Sequence, residues 1–200
     1  MPISINGSGT VTGVSVGGLP DGIVDTDMLA DGAATGVKNG AGRVLQVVQG
    51  GSNAVSSASV NGGSLWESTG INVTITPSNS SNKILLIASV NLAVTGPQNN
   101  QGIILRKGGS TLTAANAAAA GSRMTLMSAE TTATNDSVNT VNFNYLDTAG
   151  SSGSGIQYRC DLYNPSSITR TSYINRSIGD SDSAYFARCS SWIVAMEIKV

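Results

Sequence analysis

The sequence has 200 residues, of which 12% are charged, with a formal net charge of −1 and no histidine. This length suits one globular domain with an extension. The near-zero net charge and the scattered positions of Lys and Arg argue against nucleic acid as the main partner. The lack of histidine excludes Ser-His-Asp and Cys-His catalysis and histidine-ligated zinc.

The composition combines low charge and few aromatic residues with many Gly, Ser, Thr, Asn and β-branched residues. Such a composition is typical of an all-β protein with many turns. The longest apolar run, Ile84–Ala88, has strand length and is far shorter than the roughly 20 residues that cross a bilayer. The N-terminus, MPISINGSGT, has no basic or hydrophobic segment, so we expect cytoplasmic synthesis, no signal peptide and no membrane insertion.

The two cysteines, Cys160 and Cys189, are too few and too far apart for a disulfide scaffold or a zinc site. Cytoplasmic synthesis favours two buried thiols. Pairing between adjacent strands stays open as the alternative. No residue pattern indicates a cofactor.

Residues 1–18 alternate small polar and β-branched residues with frequent glycines. The pattern predicts one or two short strands at most, with little of their own to pack against. We interpret this segment as an anchoring arm that becomes ordered on a partner. A frayed terminus is the alternative.

Residues 19–42 combine sparse apolar residues with four aspartates. The apolar residues are too few to bury one another within one chain, so they need neighbouring chains to cover them. They are Ile23, Val24, Met28, Leu29 and Val37. The unit Thr26–Ala33, TDMLADGA, resembles repeats of bacteriophage tail-fibre and other virion-appendage proteins, in which three parallel chains wind together. The resemblance implies a short trimerising neck, with a flexible polar linker as the alternative.

From Arg43 onward, the sequence has the composition of successive strands and turns. Strands are predicted at 43–49, 71–76, 83–94, 102–107, 123–129, 138–146, 156–163, 171–176, 185–189 and 192–199. Residues 50–63 are predicted to form a loop, and Gly108-Gly109 a hairpin turn. Such a series without a convincing helix predicts an all-β fold, a β-sandwich of jelly-roll type over residues 43–200.

Two strands carry specific expectations about their faces. The strand 83–94 is expected to be central and buried on both sides. The last strand places Trp192, Val194, Met196 and Ile198 on one face and Glu197 on the outer one. Trp192 is expected in the core, together with Phe143, Tyr145 and Tyr158.

The head sequence carries a second resemblance. The segments 75–85 (ITPSNSSNKIL), Ile103–Gly108, Tyr173–Arg176 and Ala187–Ile198 are similar, in this order, to fibre or decoration domains of phages, cyanophages in particular. This resemblance implies a jelly-roll head with an outline similar to tumour-necrosis-factor-like and C1q-like heads, often trimeric. The implied partners are further copies of the chain, other virion proteins bound through residues 1–18, and a host-surface polysaccharide. The implied location is the virion.

Two carboxylates suffice to hydrolyse a glycosidic bond. The acidic candidates in the head are Glu67, Glu130, Asp136, Asp147, Asp161, Asp180, Asp182 and Glu197. No pattern marks any two of them as a converging pair, and turns favour Asp for local hydrogen bonding. Asp180 and Asp182 alternate with serines and are the weak candidates for a Ca²⁺ site, although the EF-hand pattern is absent. We therefore predict no catalytic residue, metal or cofactor.

Three aromatic residues near strand ends, Trp66, Tyr163 and Tyr185, are the candidates for stacking on sugar rings. We expect the trimer to present four loops to the host surface: Gly96–Gln101, Thr113–Gly121, Thr131–Ser137 and Ser166–Arg170. Three copies matter because weak contacts of single sites with sugars gain strongly from avidity. The expected function is that of a non-enzymatic, homotrimeric virion appendage for host attachment. The alternatives are a purely structural decoration protein and, less favoured, a glycan-degrading enzyme.

Overall fold

The computed structural model describes residues 4–5, 11–12, 41–67, 69–96, 100–119, 121, 123, 125–131 and 134–200. The chain separates into two compact units, residues 1–40 and 41–200. In the first unit, β1 (Ser4–Ile5) pairs antiparallel with β2 (Val11–Thr12), in agreement with the prediction of one or two short strands. The five neck residues, Ile23, Val24, Met28, Leu29 and Val37, lie outside the described residues, so the trimerising neck stays a prediction.

The described part of the second unit consists mainly of β-strands. They are β3 (Val44–Ser52), β4 (Ser56–Val60), β5 (Leu65–Trp66), β6 (Asn72–Ile75), β7 (Lys83–Val94), β8 (Asn100–Lys107), β9 (Ser110–Thr111), β10 (Ser128–Thr131), β11 (Asn139–Thr148), β12 (Ile156–Tyr163), β13 (Arg170–Ile174) and β14 (Ser191–Ile198). Thr113–Ala115 forms a short 3-10 turn. Within the described ranges, no helix has the length and apolar character needed to cross a membrane.

Two antiparallel sheets form a β-sandwich, which confirms the predicted all-β sandwich class. The first sheet has the order β3–β14–β7–β13–β4, and β11 pairs with residues 83–92 of β7 along its other edge. The second sheet has the order β10–β8–β12–β5, with β6 paired to β12 and β9 paired to β8. The β8–β9 pairing confirms the hairpin predicted at Gly108-Gly109.

The core lies between the two sheets because every second residue of each strand points inward. Its largest fully buried side chains include Ile71, Ile75, Ile84, Leu86, Leu92, Ile103, Leu105, Tyr158, Leu162, Ile174 and Ile193. Each such aliphatic side chain contributes about 1.5–3 kcal/mol when it is removed from water. The predicted inward positions of β6 and the residue before it are confirmed, since Ile71, Val73 and Ile75 are at most 2% exposed.

The prediction of a loop at residues 50–63 was wrong. The strand β3 continues through Gly50 and Gly51 to Ser52, and β4 follows at once. A Cβ atom on Gly50 would lie 1.9 Å from the carbonyl oxygen of Asn72, so this glycine allows β3 to pass close to β6. The glycines therefore serve a close backbone approach and not a turn.

Two further strand predictions were wrong, one in its bounds and one in its assignment as a strand. The strand predicted at 123–129 begins only at Ser128. Residues 185–189 form no strand and contribute only an isolated bridge, Arg176 to Arg188. Short-range hydrogen bonds hold this segment instead, such as the one from the Phe186 amide to the Ser183 carbonyl at 3.1 Å.

The faces of β14 are the reverse of those expected. Ile193, Ala195 and Glu197 are buried, whereas Trp192 is 40% exposed and Val194, Met196 and Ile198 are partly exposed. Trp192 is therefore not a core residue, and the expectation for Glu197 was also wrong. The physical reason is that polar donors around Glu197 satisfy its charge inside the sandwich.

The first part of β7 is not buried on both sides as expected. Ile87 is 44% exposed, and Lys83 and Leu85 are partly exposed, because the outer face of this sheet has no second layer over it. The strand is buried on both sides only from Val90 onward. Cys160 and Cys189 are both free thiols, the first buried and the second partly buried.

Candidate functional site

The strand directions give the sandwich two distinct ends. At the near end, the amide of Gly42 donates to the Lys199 carbonyl at 2.8 Å, so the second unit begins here. The turn at 76–82 and the loop at 149–155 lie at the same end, since the Ala149 amide donates to the Asn82 carbonyl at 2.8 Å. The near end is thus the end at which the second unit both begins and ends.

The far end is the opposite end, at which β7 ends and β8 begins. The amide of Thr95 donates to the Thr171 carbonyl at 2.9 Å, which brings the β7–β8 and β12–β13 connections together. The amide of Gly179 donates to the Asn135 carbonyl at 2.9 Å, which joins the β13–β14 and β10–β11 connections. These two pairs of connections therefore both lie at the end away from residue 41.

Three of the four predicted contact loops have described residues at this far end: Gly96–Gln101, Thr131–Ser137 and Ser166–Arg170. Gln101, however, belongs to β8 and is buried. The fourth, Thr113–Gly121, lies instead along β8, where the side chain of Asn116 donates to the carbonyls of Leu105 and Leu112 at 3.3 and 2.8 Å.

Asp180 is held by an arginine at the far end. The Nε and Nη2 atoms of Arg188 donate to its two carboxylate oxygens at 2.9 and 3.0 Å, and Arg176 lies 3.5 Å away. The hydrogen bonds from Arg188 lower the pKa of Asp180 below its usual value. The guanidinium of Arg188 thus contacts both oxygens of Asp180, one of the two residues that the sequence suggested as Ca²⁺ ligands. The described residues contain no group of three or more His, Cys, Asp or Glu that could hold a metal ion.

An open depression of about 430 Å³ lies beside this ion pair. Asp180, Ser181, Asp182, Ser183, Phe186 and Arg188 line it. The predicted aromatic Tyr185 belongs to the same segment and is 80% exposed. Hydroxyls, a carboxylate and an exposed aromatic ring are groups that bind sugars by hydrogen bonding and stacking.

The other two predicted aromatic contacts are less exposed. Trp66 packs partly buried against the core, and Tyr163 is partly buried at the end of β12. Both lie towards the far end, since β12 pairs Leu162 with Trp66 there. Of the three candidates, Tyr185 has by far the most accessible ring.

Two arginines connect the acidic candidates Glu67 and Asp161. Arg159 precedes Asp161 by two residues on β12, a spacing that places both on one face of the strand, whereas the sequence gave no signal for the contacts of Arg106 and Glu67. Arg159 donates to both oxygens of Asp161 at 2.6 and 2.8 Å, and Arg106 donates to Glu67 at 2.6 Å. Burial raises the pKa of Asp161, against the opposing effect of Arg159 and Arg106. Asp161 is fully buried with both oxygens engaged, so the geometry suits structure better than contact with a substrate.

Two further carboxylates also have structural partners. Asp147 accepts from Lys107 and from the Tyr158 hydroxyl, both at 2.7 Å, on one oxygen. Burial, followed by this hydrogen bond, raises the pKa of Tyr158. Asp136 lies exposed in the β10–β11 connection and accepts from the Thr134 hydroxyl.

Glu197 is the most completely hydrogen-bonded carboxylate. Its Oε1 accepts from the Ser78 amide and hydroxyl at 2.8 Å each and from Asn82 Nδ2 at 2.6 Å, while Oε2 accepts from Gln46 Nε2 at 2.6 Å. Burial alone would raise the pKa of Glu197, but these hydrogen bonds lower it to about 2. The carboxylate joins β14, β3 and the β6–β7 turn at the near end.

A second surface lies on the outer side of the first sheet. We call it the outer face and define it by its apolar side chains: Val44, Val47, Leu85, Ile87, Leu146, Trp192, Val194, Met196 and Ile198. Val47, Leu146 and Val44 are 57%, 54% and 46% exposed. The sequence WIVAMEIKV contains a signal for this face, because both alternating sets of residues in the strand include apolar side chains. Whichever set points into the core, the other leaves apolar side chains on the outside.

No family model matches the chain, and no curated protein matches it either.

Proposed function

We propose that the chain is a non-enzymatic bacteriophage virion appendage protein, a tail fibre, head fibre or decoration protein, that acts as a homotrimer. Residues 1–18 anchor it to other virion proteins, residues 19–42 form the trimerising neck, and jelly-roll heads attach to a host-surface polysaccharide. The observation that carries this proposal is the placement of the loops. Two pairs of connections lie at the far end of the sandwich, while the head begins, at residue 41, at the near end.

This arrangement suits an appendage, since the head begins at one end of the sandwich and presents loops at the other. The far end contains the exposed Tyr185 and the depression beside Asp180. Weak sugar contacts at such a site gain strongly when three copies engage together. The sequence resemblances of the neck and the head to phage appendages support the same assignment.

The structural roles of the acidic residues support a non-enzymatic role. Asp147, Asp161 and Glu197 each have a basic or amide side chain within 2.7 Å, and all three are buried. A glycosidase needs two carboxyl groups that reach the same glycosidic bond. These three carboxylates instead connect strands and turns.

The test uses the full chain on an array of bacterial surface polysaccharides. A six-residue Gly-Ser insertion between Ser181 and Asp182, at the far end, is compared with the same insertion between Ser152 and Gly153, at the near end. We expect binding by the unmodified chain and by the near-end variant, and a loss of at least about tenfold in the far-end variant. Equal binding by both variants, or no binding by the unmodified chain, would overturn the attachment role and favour a purely structural one.

The non-enzymatic assignment has its own test. The full chain is incubated with every polysaccharide that it binds, and released reducing ends are measured. We expect none. Release that disappears in Glu67→Gln or Asp161→Asn would show that the protein is a glycan-degrading enzyme.

A further inference from the structure

We propose that the outer face is the surface through which copies of this chain pack against one another, each copy offering the same face to the others. The inference rests on the homotrimer of the proposed function and names the surface that forms it. Its occupant is the outer face of further copies, arranged side by side around a common axis.

The outer face is contiguous across four strands. The register places Met196 beside Val47 of β3 and beside Leu85 of β7, and it places Leu146 of β11 on the other side of Leu85. These four residues form an unbroken apolar row across the sheet. The next row contains Val194 and Ile87, and Trp192 follows one step further along β14.

The size of the outer face matches the centre of a protein interface. Four strands at about 4.8 Å and three two-residue steps of about 6.8 Å give roughly 400 Å² of projected area. Monomeric proteins rarely expose contiguous apolar patches larger than a few hundred Å². A standard interface covers about 800 Å² per partner, with an apolar centre and a polar rim. Gln49, Asn142 and Asn144 provide such a rim.

The charge distribution favours another copy over a different partner. One position of the outer face is charged. Lys83 lies beside Ile198, in the row nearest to the near end, and its ammonium donates to the Thr148 hydroxyl at 2.7 Å. Apart from Lys83, which lies at the near-end edge, the outer-face positions described above are uncharged, so they offer nothing that selects a charged partner and the central rows match themselves without repulsion. The strands of the outer face also run from the near end to the far end. Copies packed side by side through it can therefore keep all near ends together and all far-end loops together.

A neutral sugar is the competing occupant. Trp192, Ser89, Asn142 and Asn144 line an open depression of about 330 Å³ on this face, and an aromatic ring beside amides can bind a sugar. The depression covers only part of the outer face, however. A bound sugar would not cover the row through Val47, Met196 and Leu146. The packing of copies accounts for the apolar character of this row as well.

The test is made on the full chain, because the neck can hold copies together even if the heads separate. In a Trp66→Phe background, acrylamide quenching reports the accessibility of Trp192. We expect a mass of about three times 20.2 kDa and a protected Trp192 in this parent protein. Leu146→Lys should raise the quenching constant at least about threefold, because burying an unpaired charge in an apolar contact is costly.

The matched control is Ile168→Lys, since Ile168 is 53% exposed and lies in the β12–β13 connection, away from the outer face. It should leave the quenching unchanged. In a Cys189→Ser background, Met196→Cys should crosslink between copies with a short bis-maleimide, whereas Ile168→Cys should not.

The outcomes separate this inference from the proposed function. A trimeric mass with a freely quenched Trp192 and no Met196→Cys crosslink would overturn the outer-face interface and leave the homotrimer intact. A monomer at micromolar concentration would overturn both the interface and the homotrimer. Protection of Trp192 that appears only when a polysaccharide is added would assign the face to a sugar. The attachment role is decided independently by the far-end insertion.

Discussion

The replacement of Glu197 by glutamine tests the most unusual feature of the core, a fully buried carboxylate at the near end. The four donors around it come from Gln46, Ser78 and Asn82, and they point at two negatively charged oxygens. Glutamine has the same size but presents an amide group to Gln46. One donor then loses its acceptor, and the remaining hydrogen bonds lose the assistance of the charge.

The magnitude follows from the pKa. Because the folded protein lowers the pKa of Glu197 from 4.5 to about 2, the ionised carboxylate stabilises the fold by about 3 kcal/mol at neutral pH. A lowered pKa means that this stabilisation is complete above about pH 5 and is lost as the pH falls towards 2. We therefore expect Glu197→Gln to cost about 2 to 3 kcal/mol at pH 7 and to remove most of the acid sensitivity in that window.

The measurement is urea-induced unfolding at a fixed chain concentration, from pH 7 down to pH 2.5, since association makes apparent stability depend on concentration. Glu130→Gln is the matched control, because Glu130 lies partly exposed on β10. It should change stability by less than about 0.5 kcal/mol. If Glu197→Gln and the unmodified chain lose stability in parallel as the pH falls, the reasoning about the buried carboxylate is refuted.

Three further predictions follow from single positions. Gly50→Ala should destabilise the chain by about 3 kcal/mol or more in the same urea assay, because its Cβ would lie 1.9 Å from the Asn72 backbone oxygen; a change below about 1 kcal/mol would show that β3 can move away. Asn175→Gly should cost about 2 kcal/mol although the residue has a φ of 61°, because its side chain donates to two backbone carbonyls at 2.7 and 2.9 Å; a gain in stability would mean that the backbone conformation dominates. Cys189 should react with a maleimide in the native protein at least about tenfold faster than Cys160, because burial raises the pKa of the Cys160 thiol; equal rates by mass spectrometry would contradict this.

The long strands could be predicted because apolar runs and turn residues agreed there. The bounds of β7 and β12 are those predicted, and each strand is flanked by Asn-, Ser- or Gly-rich turns. The region 50–63 could not be predicted, because a glycine that permits close packing looks the same in sequence as one that permits a turn. Only the position of Asn72 across the sandwich distinguishes the two.

The candidate site was predictable only in part. Polar loops could be assigned from composition, and three of the four predicted contact loops contribute to the far end. Their meeting there depends on long-range strand order, which no local pattern encodes. The ion-pair network of Asp161 could be foreseen only in part, because Arg159 lies two residues before it on β12, whereas Arg106 reaches it from β8, which lies far away in the sequence.

The strand β14 connects these observations. Hydrophobicity alone would bury Trp192, Val194, Met196 and Ile198, yet the fold buries Ile193, Ala195 and Glu197. A carboxylate is tolerated inside because its four hydrogen bonds offset the cost of removing it from water. The bulkier set of side chains is then left on the outer face, next to Val47, Leu85 and Leu146. The inward carboxylate stabilises each head through these hydrogen bonds, and copies packed as proposed above would bury the outer set of side chains as well, so one orientation of β14 serves both the head and the proposed assembly.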